Sequence, residues 1–174
     1  MKKKMAMIVA GLLLAAGTAV RADNEWGVYG TFWSPSDADD SYGGGFKLGI
    51  EMVDRVQLDV RYSIFNNVFD DGPDLEVDPL EFGLSFAIPM SDDVETALGA
   101  GLGYYFMDGD DVLDADDEVG FFMSAGLEWT IHRSGATYGE TSAKLFVEGI
   151  YRFVETGDID LNGPGVNVGL LIGW

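Results

Sequence analysis

From residue 25 to its end the chain alternates large apolar residues with small or polar ones. The clearest stretch is 55–65, where Val56, Leu58, Val60, Tyr62 and Ile64 fall on every second position and Gln57, Asp59, Arg61 and Ser63 lie between them. An extended strand turns successive side chains to opposite faces, so this period marks a strand with one apolar and one polar face. Seven further segments repeat the pattern, at 25–33, 43–52, 79–88, 94–106, 118–131, 142–153 and 163–174. None demands a helix, and the pattern predicts an all-β chain of eight strands.

Such strands also fit a soluble sandwich or a lipocalin-like barrel with the apolar face inside. Two features argue for the inverse arrangement. The face opposite the apolar one is rich in Gly, Ala and Ser with scattered charges, where a soluble surface would carry Lys, Glu and Thr throughout. Small residues suit the inside of a narrow barrel, because they leave room for a few long side chains. The connections also alternate in character. Those after the first, third, fifth and seventh segments ("SPSDADDS", "NNVFDDGPDLEVD", "MDGDDVLDADDE" and "ETGDIDLNG") hold 18 of the 30 acids and no Lys or Arg. Those after the second, fourth and sixth ("MVDR", "PMSDD" and "HRSGATYGE") are on the whole shorter. In an up-and-down barrel all four long connections share one end. Long loops at one end and short turns at the other predict an eight-stranded antiparallel up-and-down transmembrane β-barrel, with the long loops outside the cell. The aromatics then fall in two belts, Trp26, Phe86, Trp129 and Trp174 near the short-turn rim and Phe32, Tyr62, Tyr104, Phe106, Phe121, Tyr151 and Phe153 near the other. A bilayer's two interfaces select such belts.

The first residues supply an address. Three lysines precede an apolar run from Met5 to Val20, and small side chains follow at Val20 and Ala22. This predicts a secretory signal peptide over 1–22 and a single barrel domain over 23–174. A spanning helix needs about 20 apolar residues, and this run is shorter and interrupted by Gly11 and Gly17. Cleavage after Ala22 removes four bases and no acid, leaving 6 bases against 30 acids and a formal charge near −24. So negative a chain is unsuited to nucleic acid, whose binding rests on basic residues. The chain has no cysteine, which excludes disulfides, thiolate metal sites and thiol nucleophiles.

Signal peptide, eight alternating strands, alternating long and short connections and an aromatic end together resemble the small eight-stranded outer-membrane β-barrels typified by the transmembrane domain of outer membrane protein A. The resemblance spans the mature chain and implies residence in the outer membrane of a Gram-negative type of cell. In that family the barrel assembly machinery reads the last strand through alternating hydrophobics and a terminal aromatic, usually phenylalanine. Val168, Leu170, Ile172 and Trp174 match that signal, with Trp in place of Phe. The implied partners are outer-membrane lipid and, during insertion, the assembly machinery; no cofactor and no second subunit is expected.

The inward face would carry Lys47, Arg61, Lys144 and Arg152 with Glu51, Asp59, Glu81, Glu95, Glu128 and Glu148. Charges in a narrow barrel are costly unless paired, so a ladder of salt bridges filling the lumen is expected in preference to an ion path. The main expectation is a structural or surface-interaction protein, and the alternative is a narrow porin-like channel. Enzymatic signals are thin. His132 and Ser134 resemble the His-x-Ser pair of the lipid A deacylases, another eight-stranded outer-membrane family, but they fall at the short-turn end and no third group is fixed beside them. "GAGLG" at 99–103 lies along a strand with no helix after it, which excludes a phosphate loop. "DADDEVG" fails calcium-loop spacing because its Gly is one place late and position twelve is Ala125. The acidic loops are expected to attract divalent cations only diffusely.

Overall fold

A computed structural model describes residues 24–65, 75–109, 116–136, 139–157 and 159–174. The segment 1–22, expected as a signal peptide, and parts of three acidic connections, 66–74, 110–115 and 158, lie outside the described residues.

Ten strands follow one another: β1 (Glu25–Trp33), β2 (Ser41–Val53), β3 (Val56–Phe65), β4 (Leu75–Pro89), β5 (Val94–Gly109), β6 (Glu118–Ala136), β7 (Gly139–Phe153), β8 (Glu155–Thr156), β9 (Ile159–Asp160) and β10 (Gly163–Gly173). Eight of them close an antiparallel barrel in the order β1-β10-β7-β6-β5-β4-β3-β2, and β8 pairs with β9 as a small hairpin in the last long connection. Helices are absent among the described residues. The barrel closes where β1 meets β10, from Glu25↔Gly173 to Trp33↔Gly165. A further rung, Trp174 N to Asn24 O at 3.0 Å, lies at the inner end of this seam.

The apolar face points outward. Val28, Leu84, Met123 and Val168 are 56%, 57%, 58% and 47% exposed, whereas Arg61, Glu81 and Arg152 are enclosed at 1% or less. A water-soluble barrel requires the reverse, because each exposed apolar side chain forgoes the free energy of its burial.

Large inward rings are seated over inward glycines. A Cβ at Gly83 would lie 2.6 Å from the Phe122 ring, and one at Gly103 2.6 Å from the Tyr105 ring. The small residues of the polar face are therefore the sockets of the large ones. At the inner end, Asp54 and Arg55 alone join β2 to β3, and Arg55 takes a φ of 67°, the left-handed residue by which a bulged hairpin loop rejoins its strand.

The strands run past the segments expected from the sequence. β4 starts at Leu75 instead of residue 79, and β5 ends at Gly109 instead of 106. In these extensions the alternation inverts. Leu75, Val77 and Met107 are buried inside, as is Tyr105 just before the β5 extension, while Glu76 and Asp108 face out. A strand that has risen clear of an apolar surround needs a polar outside and a dry inside, the ordinary soluble arrangement. With Trp33, Phe65, Val154 and Leu161 the four inward residues form a closed apolar cap over the outer end of the lumen. The ladder between β3 and β4 skips from Tyr62↔Leu80 to Phe65↔Val77, and Pro79, which lacks an N–H, stands in the gap.

At the other end the stretch "HRSGATYGE", expected as a connection, is mostly strand: β6 continues through a bulge between Thr130 and His132 and pairs with β7 as far as Ala136↔Gly139. β5 begins only at Val94, opposite Trp129, so residues beyond that rung extend as a two-stranded ribbon past the rim.

Candidate functional site

Strand alternation delivers the candidate charges to one interior, and each has a definite place. Lys144 is held nearest the inner end, its Nζ 2.5 Å from Glu95 Oε1, 3.0 Å from Glu128 Oε2 and 3.1 Å from Glu25 Oε2. Lys47 shares two of these carboxylates more loosely, at 3.6 Å from Glu128 Oε1 and 3.9 Å from Glu25 Oε1, and is 3.8 Å from Asp59 Oδ1. The second oxygen of Asp59 is 3.2 Å from Arg61 Nη2, which also donates to Glu148 Oε1 at 2.7 Å. Asn167 Nδ2 donates to the other Glu148 oxygen at 2.9 Å. Asp59 therefore links the lysine cluster to the arginine above it.

A separate pair lies beneath the outer cap. Arg152 Nε donates to Glu81 Oε1 at 2.8 Å, and Tyr105 OH donates to the same oxygen at 3.2 Å. The Arg152 guanidinium centre lies 5.4 Å from the Trp33 ring and 5.5 Å from the Phe65 ring. Cation–π attraction complements the ion pair where water is excluded. Between pair and cluster, Tyr29 OH meets Ser63 Oγ at 2.8 Å and Phe122 lies under Arg61, ring centre 4.9 Å from its guanidinium carbon.

Register neighbours and ion-pair partners differ. Lys47, Arg61 and Glu81 occupy one rung across β2, β3 and β4, yet Arg61 pairs with Glu148 and Glu81 with Arg152, both on β7. The pairs cross the lumen. Three network members escape the sequence reading: Glu25, Tyr105 and Asn167. Glu25 was legible, since it directly precedes the outward Trp26 and so belongs inside.

Of the ten candidate charges, Glu51 lines the inner mouth. There a cavity of about 540 Å³ opens, lined among others by Glu25, Glu51, Asp93, Glu95, Glu128 and Lys144. His132 and Ser134 lie on the exposed ribbon, in register with Ala143 and Thr141. Val168, Leu170, Ile172 and Trp174 all face outward along β10 and its end.

No protein-family model matches the chain, and a search of curated proteins finds no match. Solved structures do match. The outer membrane protein OprG of Pseudomonas aeruginosa superposes with a TM-score of 0.69 at 13% identity, over 88% of this chain and 96% of that one. Neisserial surface protein A superposes with a TM-score of 0.61 at 12% identity, over 87% of this chain and 95% of that one. A designed transmembrane β-barrel matches with a TM-score of 0.52, also at 13% identity, over 88% and 98%. The likeness is one of architecture, and the chain has the fold of the small eight-stranded outer-membrane β-barrels.

Proposed function

We propose that this chain is a small, non-enzymatic protein of a Gram-negative type of outer membrane, with a structural or surface-interaction role. Its signal peptide is cleaved after Ala22, its acidic connections face the outside of the cell, and its lumen is plugged. The outward apolar band supports the membrane address, since a bilayer covers what water would not. Insertion uses the alternation of β10 and the terminal Trp174, read by the assembly machinery, and the barrel stands as a monomer among outer-membrane lipids. The acidic connections attract divalent cations diffusely, by charge alone.

The observation that carries the plugged reading is the Arg152–Glu81 pair, 0% exposed on both side chains under an apolar cap. An ion passing there would have to displace a guanidinium from its carboxylate and open a packed layer of Trp33, Phe65, Leu75 and Tyr105. Refolded mature protein should migrate differently boiled and unboiled on a detergent gel and leave planar bilayers silent under voltage. Stable unitary currents would replace this reading with a narrow porin-like channel. Absence of the gel shift, with solubility in plain buffer, would overturn both.

A further inference from the structure

The outward face of β3, β4 and β5 has a hollow in its apolar band. Ala100 faces out between Leu98 and Leu102, with Leu84 opposite it on β4 and Met123 opposite it on β6. One methyl among four long side chains opens a groove of about 350 Å³, walled by Val56, Leu84, Phe86 and Leu98. Val56, Phe86 and Leu98 share the rung that forms its inner end. Phe86 belongs to the inner aromatic belt, so the groove runs from the aliphatic zone to the level of a bilayer's polar interface.

The charges next to that end are an independent observation. Ala87 N donates to Arg55 O at 2.9 Å, which places Arg55 one rung beyond Val56 and Phe86, on the rim between the groove and the inner mouth. The side chains of Arg55 and Asp54 are 55% and 92% exposed and meet at 3.8 Å. Such an exposed contact contributes little, so both groups are free to take stronger partners. Arg133, the other exposed base at this end, is instead engaged by Asp93 and by the Asp92 carbonyl. From groove to rim the wall therefore offers a hydrocarbon slot, an aromatic ring, and then a cation beside an anion. A phosphatidylethanolamine presents the matching series of acyl chain, ester interface, phosphate and ammonium. Guanidinium N–H groups suit phosphate oxygens, and the Asp54 carboxylate would accept from the ammonium. A headgroup without an ammonium, such as glycerol, leaves Asp54 beside a second negative charge.

We propose that the groove between β3, β4 and β5 binds one phosphatidylethanolamine of the inner leaflet, with an acyl chain against Ala100, the phosphate on Arg55 and the ammonium on Asp54. The site rests on the outer-membrane reading for its lipid surround and leaflet. The test uses the full mature chain refolded in detergent and heat-modifiable on a gel. It is given equal amounts of phosphatidylethanolamine and phosphatidylglycerol with the same acyl chains, and the retained lipid is counted by native mass spectrometry. One phosphatidylethanolamine should be retained in preference. Arg55→Gln should weaken its retention about tenfold or more, as loss of charge-assisted hydrogen bonds implies, and Arg55→Lys should keep part of it. Ala100→Leu, which fills the hollow and leaves the charges alone, should lower retention of both lipids. Arg133→Gln should change nothing. A barrel that still shifts on heating but retains neither lipid, retains both equally, or loses them as much with Arg133→Gln would overturn the site and leave the outer-membrane reading standing. Loss of the heat shift in the unaltered chain would overturn that reading, and the site with it.

Discussion

Arg152 and Glu81 face each other across the lumen at 2.8 Å with no water access to either side chain. Removing one member strands the other as a bare charge in a dry layer. Glu81→Ala should therefore destabilise the barrel by about 3–5 kcal/mol, whereas Glu81→Leu combined with Arg152→Met should cost far less than the two single changes summed. Urea unfolding in lipid vesicles measures both. An additive double variant would show that the pair contributes no coupling.

The Lys144 ammonium holds three carboxylates together, and its loss leaves Glu25, Glu95 and Glu128 mutually repelling. Lys144→Ala should lower the unfolding midpoint in urea, and millimolar ethylammonium should restore part of it, while the same concentration of tetramethylammonium, which has no N–H to donate, should not. Equal rescue by both would reduce the effect to ionic strength.

Phe122 lies over the backbone of both Gly83 and Gly101. Gly83→Val, whose Cβ would meet the Phe122 ring first, at 2.6 Å, should force the ring out of its socket at a cost of about 1–3 kcal/mol, the usual penalty of overpacking. Phe122→Ala placed in the same chain should recover part of that loss, since it frees the volume the valine needs. If the double variant is no better than its parents, the glycine is needed for backbone reasons instead of room.

The period-two pattern made the barrel, its direction and most of its lumen charges legible, because one strand geometry obeyed one rule through the apolar zone. The outer cap was not legible, for the same reason. Leu75 and Val77 alternate as regularly as Leu80 and Phe82, but with the opposite phase, and the neighbouring Glu76 and Asp78 made the stretch read as an acidic loop. Where a strand leaves an apolar surround the rule reverses, and sequence alone does not mark the crossing. The ribbon at 131–136 was missed differently: Gly135 and the polar residues around it signal a turn, yet β6 and β7 stay paired as far as Ala136↔Gly139. Ion-pair partners were illegible in principle, because Arg61 reaches Glu148 across the lumen and skips its rung neighbour Glu81.

The outward face should punish charge according to depth. Leu84 is 57% exposed in the aliphatic zone between the aromatic belts. Leu84→Arg should cost about 2–4 kcal/mol in a bilayer, the range for a basic residue near the midplane of a transmembrane barrel. Asp54→Arg, in the exposed turn beyond the inner rim, should cost little. Equal effects at both positions, read from vesicle unfolding, would argue that no bilayer covers Leu84.

The absence of native cysteine allows the inner cavity to be mapped with single introduced thiols. Gln57 and Ser142 line the inner cavity and are partly accessible, whereas Ser63, hydrogen-bonded to Tyr29 above the cluster, is fully enclosed. Gln57→Cys and Ser142→Cys in oriented vesicles should react rapidly with a charged, membrane-impermeant thiol reagent added on the inner-mouth side, and not at all when it is added on the other. Ser63→Cys should resist from both sides until urea unfolds the barrel, because the apolar cap and the Arg152–Glu81 pair close one approach and the Arg61 and Lys47 clusters the other. Labelling of Ser63→Cys from the loop side in the folded state would mean that the cap opens, and would move the balance toward a conducting lumen. Labelling from the inner side alone would keep the cap closed and carry the aqueous well deeper than the Lys144 cluster.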